Sequence, residues 1–319
     1  MVNIIAIQCP ICRFKRIDKL IKWDDNYEIY VCNRCNLLFT FPLPTDEELT
    51  KYYQGFLFQK PTDENINELV KRKKKELTKL LKPFPKNKRT FLDYGGGTGT
   101  TSQAAKELGF VVYYYDIDEN SRDFVKKFYD FKEDKIIKTH EDFKGKMFDY
   151  IMCDNVIEHA TNPLQFTSNL FILLEEGGTL IIKTPNAGNT EFIFFPIFSK
   201  LYLSRALKHN SFKKTTKTFL KRQLCCDPPR HLYVFSRNNI LLIARILGLS
   251  KITIKYHYLP AFRFFYYRKL IKFNHPKDLI RMVMFFPIFI MESVLKLMHM
   301  IMKSFFMMSP STLILIIKK

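Results

Sequence analysis

The 319-residue chain is 47% hydrophobic, enough to bury one catalytic domain with small appendages, which excludes global disorder. Its seven cysteines are an odd number with four in two close pairs, which argues against a secreted disulfide framework and for an intracellular chain with a metal site. The net charge of +20 is uneven: Phe192 to Lys319 holds 23 basic residues against Asp227, Asp278 and Glu292, so everything before it is neutral.

Met1 to Ile7 carry no basic region or small-residue cleavage site, so no secretory leader is expected. Residues 1–44 form the first unit. Cys9-Pro10-Ile11-Cys12 and Cys32-Asn33-Arg34-Cys35 stand 19 residues apart, a spacing that closes a tetrahedral four-thiolate site across a hairpin. Four sulfurs leave no open position, so the predicted role of Cys9, Cys12, Cys32 and Cys35 is a structural zinc ribbon; iron would fit the same donors. Phe41-Pro42-Leu43-Pro44 closes the unit, and 45–88 is a helical linker. Thr45 to Glu48 has the spacing of a capping box leading to Tyr52 and Tyr53. A helix from Asp63 to Lys82 is expected to turn Lys71 to Lys75 to solvent, and Pro83 and Pro85 end it.

Residues 89–257, with an insertion at 189–229, alternate strands and helices, which predicts an α/β Rossmann-like, doubly wound parallel sheet. Thr90 to Leu92, Val111 to Tyr115, Lys135 to Lys138, Phe148 to Cys153 and Thr179 to Lys183 read as strands. Thr101 to Leu108, Glu119 to Phe128 and a helix opened by Asn162-Pro163 lie between them; Ser236 caps a further helix, and Lys251 to Tyr256 is a late strand. The chemical signal is Asp93-Tyr94-Gly95-Gly96-Gly97-Thr98-Gly99, between a strand and a helix. Gly95, Gly97 and Gly99 let a ligand lie on the backbone and the helix N-terminus. No Gly-Lys-Ser/Thr follows, against a phosphate loop, and Thr100 stands where a dinucleotide fingerprint needs glycine. Asp116 ends the second strand 21 residues after Gly95, placed to take both hydroxyls of a ribose.

Residues 90–185 resemble the core of class I S-adenosylmethionine-dependent methyltransferases, with Asp93-x-Gly95-x-Gly97-x-Gly99 matching that family's glycine loop. Asp154-Asn155-Val156-Ile157-Glu158-His159, Leu174 to Asn186, and Pro229-Arg230-His231-Leu232-Tyr233-Val234-Phe235-Ser236 resemble later segments of the same family. The resemblance implies S-adenosylmethionine as cofactor: its methionine part on the glycine loop and beside Asp154, its ribose on Asp116 in preference to Asp118, and an acid, Glu141 or Asp142, near the adenine. Quinone-modifying relatives bind magnesium through Glu-x-x-Glu-His at this point; Asn155 replaces the first acid here, and no catalytic metal is expected. The cysteine ribbon followed by Pro-x-Pro and Tyr-Tyr resembles methyltransferases of sugar and cell-surface polysaccharide modification.

His159 and His231 are the candidate catalytic bases, because a hydroxyl or carbon acid must lose a proton as it is methylated. Cys225 and Cys226 have no nearby partner pair and are read as incidental. Residues 258–319 form a basic, apolar extension expected to be helical. The Phe192 to Phe198 run, the surrounding lysines and arginines, and an amphipathic pattern over 282–303 suggest peripheral contact with an anionic membrane, on its cytoplasmic face. A core helix or a spanning one are the alternatives for 282–303. The reading that results is methyl transfer to a small or lipid-linked, sugar-like acceptor of polysaccharide or glycolipid synthesis. A quinone or lipid methyltransferase and an RNA methyltransferase using the basic region are the alternatives. Asp227-Pro228-Pro229-Arg230 resembles the base-amino signature but lacks its aromatic and its position, so nucleic acid is the weaker partner.

Overall fold

The computed structural model describes residues 7–45, 47–49, 52, 63–81, 89–187, 228–257 and 312–319. Tyr53, Cys225, Cys226, the Phe192 to Phe198 run, almost all of the 189–229 insertion and the 282–303 helix lie outside the described residues. Residues 1–185, 225–255 and 314–319 belong to one compact unit; Asn186–Leu224 with Tyr256–Leu313 form a second that is almost wholly outside the description. Among the described residues, no helix is long and apolar enough to cross a membrane.

The N-terminal unit is an antiparallel sheet of β1 (Ile17–Lys22), β2 (Glu28–Cys32) and β3 (Leu38–Phe41), with the first cysteine pair before β1, Cys32 at the end of β2 and Cys35 in the turn that follows. The Thr45 capping box forms as its sequence requires, with the Thr45 amide donating to Glu48 at 2.7 Å and the Glu48 amide to Thr45 Oγ1 at 3.2 Å. Helix α1 (Asp63–Leu81) follows, burying Ile66, Val70, Leu77 and Leu81 at helical spacing.

The main sheet contains β4 (Thr90–Tyr94), β5 (Val111–Tyr115), β6 (Ile136–Ile137), β7 (Phe148–Asp154) and β8 (Leu174–Pro185), and all neighbouring pairs among them are parallel. Between them run α2 (Thr100–Glu107), α3 (Glu119–Tyr129) and α4 (Pro163–Ile172), the last started by Asn162 Oδ1, which accepts from the Gln165 amide at 3.1 Å. A two-residue strand, β9 (Tyr233–Val234), joins β3 of the ribbon; α5 (Arg237–Ile246) and β10 (Ile252–His257) come next. The main core packs Ile66, Val70 and Leu77 of α1 and Ala104 and Ala105 of α2 against Phe91, Tyr114, Met152 and Ile181 of the strands.

Two expectations change. The extension, expected to be helical, ends in a strand: Thr312–Lys318 is β11, inserted into the main sheet in the order β10-β11-β8-β7-β4-β5-β6. The Lys318 amide donates to the carbonyl of Lys251, just before β10, and the Lys319 amide to that of Gly178 in β8, so β11 runs opposite to both. Ile314 and Ile316 join the core, which the run Leu313 to Ile317 explains: a strand buried on both faces is apolar throughout. The second change concerns Lys71 to Lys75. Lys73 leaves the solvated face and reaches an ion pair with Asp154.

Candidate active site

The glycine loop is tied to the end of β5. The Gly95 and Gly96 amides donate to the Tyr115 carbonyl at 2.8 and 3.1 Å, Tyr114 Oη donates to the Gly97 carbonyl at 2.7 Å, and the Gly97 amide donates to Asp116 Oδ2 at 2.8 Å. Gly95 has φ +71°, and a Cβ there would lie 2.5 Å from Val156 Cγ2. Gly97 has φ +52°, and a Cβ there would meet nothing within 4 Å, so the turn faces open space. Asp93 stands behind this loop, 2% exposed, accepting from Ser102 Oγ at 2.6 Å; burial pushes its carboxyl up to about 6 against that hydrogen bond. It builds the loop from below.

Asp116 is buried, which raises its pKa, while the Gly97 and Asp118 amides oppose the shift. Asp118 caps α3 through the amide and hydroxyl of Ser121, at 2.8 and 2.6 Å. Of the two acids, Asp116 is therefore the one attached to the glycine loop. Asp142 Oδ2 accepts from the Lys138 and Thr139 amides at 3.0 and 2.9 Å, and these hold its carboxyl below the usual range; Glu141 beside it is exposed. An aromatic group missed in the sequence lines the same ends of the strands. The Tyr94 ring centroid is 4.6 Å from Tyr115 and 5.6 Å from Phe166, and Tyr115 Oη is 3.4 Å from His140 Nε2.

At the end of β7, Asp154 sits in a network of charges in which Lys183 is buried and Asp154, Glu76 and Lys73 are partly buried. Lys183 Nζ, on a 5% exposed residue of β8, is 2.8 Å from Asp154 Oδ2 and 2.7 Å from Glu76 Oε1. Lys73 of α1 pairs with Asp154 and approaches Glu76 at 3.7 Å. Glu76 Oε1 faces Lys183 as a charge without the alignment of a hydrogen bond. Burial alone would raise the Asp154 carboxyl, but Lys73 and Lys183 outweigh it and the net shift is downward. Lys183, a lysine directly after the apolar run Leu180 to Ile182, is the signal that could have exposed this network in the sequence.

The turn after β7 brings together residues from distant segments. Donor atoms of Glu158, His159 and His231 all lie within 4.8 Å of one another, and the two imidazole centroids are 4.7 Å apart. Glu158 is 1% exposed; Oε2 accepts from Thr184 Oγ1 at 2.9 Å and Oε1 has no hydrogen-bond partner, so burial pushes the carboxyl up to about 8. His159 Nδ1 lies 2.7 Å from the Arg230 carbonyl, which can only accept, so that nitrogen carries the proton. Burial holds His159 down at about 4 and the imidazole is neutral at pH 7, though the Arg230 carbonyl opposes the shift.

In the ribbon, Cys9 Sγ lies 3.6 Å from Cys35 Sγ and Cys12 Sγ 3.5 Å from Cys32 Sγ, and all four sulfurs are within 4.8 Å of one another. A tetrahedral zinc with bonds of about 2.3 Å separates its sulfurs by about 3.8 Å, so the four residues fit such an ion. Contact with Cys35 holds the Cys9 thiol down at about 5, burial raises Cys12 to about 11, and Cys9 raises Cys35 far above a free thiol. Thiols this close cannot all ionise together without a cation among them.

An uncharacterized protein of Methanocaldococcus jannaschii is 34% identical over 146 residues, 43% of this chain and 61% of that protein. A ubiquinone biosynthesis O-methyltransferase of Coxiella burnetii is 27% identical over 108 residues, 32% of this chain and 46% of that protein. The chain thus spans less than two thirds of the length of both relatives. Among solved structures, a SAM-dependent methyltransferase from Archaeoglobus fulgidus aligns over 78% of this chain and 94% of its own, with 16% identity and a TM-score of 0.43. A family model described as a methyltransferase domain matches residues 64–254, more than half of the chain, and the chain therefore belongs to the methyltransferase domain family, with the class I Rossmann-like sheet.

Proposed function

We propose that this chain transfers the methyl group of S-adenosylmethionine to a small or lipid-linked acceptor presented to His231. The observation that carries the reading is the junction of the open Gly97 turn with the buried Asp116 carboxylate. Gly97 leaves room for a ligand against the backbone, and Asp116, fixed by the Gly97 and Asp118 amides, keeps further lone pairs for two ribose hydroxyls. Gly95 and Gly99 would shape the methionine side of the cradle, with Asp93 bracing the loop and Asp154 at its edge. Glu141 and Asp142 are the acids nearest in sequence to the adenine position. S-adenosylmethionine, when bound, supplies an electrophilic methyl group.

At the acceptor side, His231 is half-buried and neighbours His159, which the Arg230 carbonyl orients. We assign His231 as the base that takes the acceptor's proton and His159 as the residue that positions it. The four cysteines hold a structural zinc. The acceptor reading follows the ribbon: a sugar-like hydroxyl of polysaccharide or glycolipid synthesis. A quinol hydroxyl is the second reading, favoured by the likeness to the Coxiella burnetii enzyme. The basic excess from Phe192 to Lys319 would hold the protein to an anionic membrane surface, where lipid-linked acceptors of either kind reside.

Isothermal titration of the full-length protein with S-adenosylmethionine tests the cofactor, followed by release of S-adenosylhomocysteine over nucleotide sugars, catechols and RNA. Binding with turnover on the first or second class, lost in His231→Ala while cofactor affinity is kept, is expected. No cofactor binding, or turnover on RNA alone, refutes the reading. Flotation with anionic vesicles that weakens at high salt is expected for the membrane contact.

A further inference from the structure

The ribbon and the turn bearing Glu158 and His159 share one short segment, Arg230 to Asn239, and its hydrogen bonds run both ways. On the ribbon side, Leu38 pairs with Val234 and Phe39 with Tyr233, and the Thr40 amide donates to the Leu232 carbonyl at 2.8 Å. On the other side, the Leu232 amide donates to the Glu158 carbonyl at 2.8 Å and Tyr233 Oη to the Thr161 carbonyl at 2.8 Å. His231 therefore sits two residues before a two-residue strand held between two partners. A strand that short has almost no stability of its own, so its neighbours decide where it lies.

Asn239 closes the arrangement. It is fully buried in the first turn of α5, and its Oδ1 accepts from the Ser236 amide and hydroxyl at 2.8 and 2.7 Å. Its Nδ2 then donates to the carbonyl of Cys35, one of the four sulfur residues, at 2.7 Å. One side chain thus joins the metal knuckle to the end of the segment that carries His231. Leu232, Tyr233 and Phe235 are buried along the same stretch, so the connection is packed as well as hydrogen-bonded.

We propose that the cysteine ribbon is a working part of the acceptor site, with Asn239 as the positioning residue that couples the metal knuckle to His231. The inference rests on the assignment of His231 to the acceptor side. It predicts that disturbing the knuckle moves His231 while the glycine loop and Asp116, which hydrogen-bond to β5 and to each other, keep their structure.

The test uses full-length protein and reads His231 directly, through its imidazole resonances and the rate at which diethyl pyrocarbonate modifies it, located by mass spectrometry. Asn239→Asp keeps the acceptor for Ser236 but loses the donor to Cys35. Metal content and the far-ultraviolet circular dichroism are expected to stay as in the wild type, with the His231 rate severalfold higher and its resonances shifted. Ser236→Ala, which weakens the helix cap and leaves the Cys35 contact, should leave the His231 rate unchanged. Should Asn239→Asp fail to fold, removing the metal from the wild-type protein with a chelator is the deciding arm. There the His231 rate should rise while the main-domain dichroism persists. An unchanged His231 in folded Asn239→Asp, or on metal removal, overturns the proposal, as does loss of the whole fold with the metal. These readouts need no methyl acceptor, so a wrong acceptor-site assignment would appear separately, as turnover that survives His231→Ala.

Discussion

Asp154 and Glu158 leave the same strand end, and both are taken out of water, yet their surroundings differ in kind. Asp154 receives two ammonium groups, from Lys73 of α1 and Lys183 of β8, and its carboxyl stays ionised. Glu158 receives the Thr184 hydroxyl on one oxygen and no hydrogen bond on the other, beside a neutral His159, and it holds its proton up to about pH 8. Burial acts on both in the same direction, and only the charge of the partner separates them. One side of this strand end is thus permanently charged and locks α1 onto the sheet, while the other is kept neutral beside His159.

Removing the charged centre should have the largest effect. Asp154→Ala leaves the buried Lys183 and the partly buried Lys73 with Glu76 as their remaining counter-charge, and breaking a buried pair this way costs about 3–5 kcal/mol. Urea denaturation measures it. A loss under about 1 kcal/mol, the scale of a surface pair, would mean that the network is solvated and the contrast with Glu158 false.

Glu158→Gln tests the neutral half through pH. The folded chain holds the Glu158 proton up to about pH 8, whereas the unfolded chain releases it near the ordinary glutamate value of 4.5. Between those values the folded state binds more protons, so this group's contribution falls as pH rises and levels off above about 8. The slope can reach about 1.4 kcal/mol per pH unit. Glu158→Gln cannot ionise, so its stability relative to the wild type should improve steadily across that window, by a few kcal/mol in total. Parallel stability curves for the two proteins would place Glu158 in water.

What was legible in the sequence and what was not follow the same division. The grouping of the glycine loop with Asp116, and of the four cysteines with one another, is readable because it depends on spacing within a short stretch. His159 and His231 were each identifiable as candidates, but their contact was not, because it depends on how Arg230 and the Ile157–His159 turn fold together. Lys73 could not be told from its four basic neighbours: only the distant strand ends decide which of them is buried. The same holds for β11. Its apolar run continues the composition of the region before it, and nothing local shows that it enters the sheet between β8 and β10. Asp142 shows the converse, since its local capping bonds are a consequence of position that the family resemblance does not describe.

Two glycines separate damage to this strand end from damage to the open turn. Val156 stands between the two carboxylates in sequence, and a Cβ on Gly95 would strike it at 2.5 Å. Gly95→Ala should therefore shift both Asp154 and Glu158 and cost more than the roughly 1–2 kcal/mol of a left-handed non-glycine residue alone. Gly97→Ala meets nothing and should cost about that amount, 1–2 kcal/mol, while weakening S-adenosylmethionine binding through the added methyl. Thermal melts and titration of both variants distinguish the two. Equal losses of stability would remove Val156 as the link between the loop and the carboxylates.

The smallest effect is the sharpest control, because it compares adjacent residues of one helix. Lys73 and Lys74 are both lysines of α1, but Lys73 turns to the Asp154 network, whereas the Lys74 side chain is 40% exposed and reaches Glu107 of α2 at 3.0 Å. An exposed pair of this kind is worth about 0.2–1 kcal/mol and weakens as salt screens it. Lys74→Ala should therefore lose no more than that, and the loss should shrink between low and high salt. Lys73→Ala should lose several times more, because it removes a cation facing Asp154 and Glu76 in a site that salt barely reaches. The difference between the two variants should then widen slightly with added salt. If both lose little, and both losses fade as salt is added, α1 rests on the sheet through its apolar face, and the Asp154 charge network plays no part in holding it.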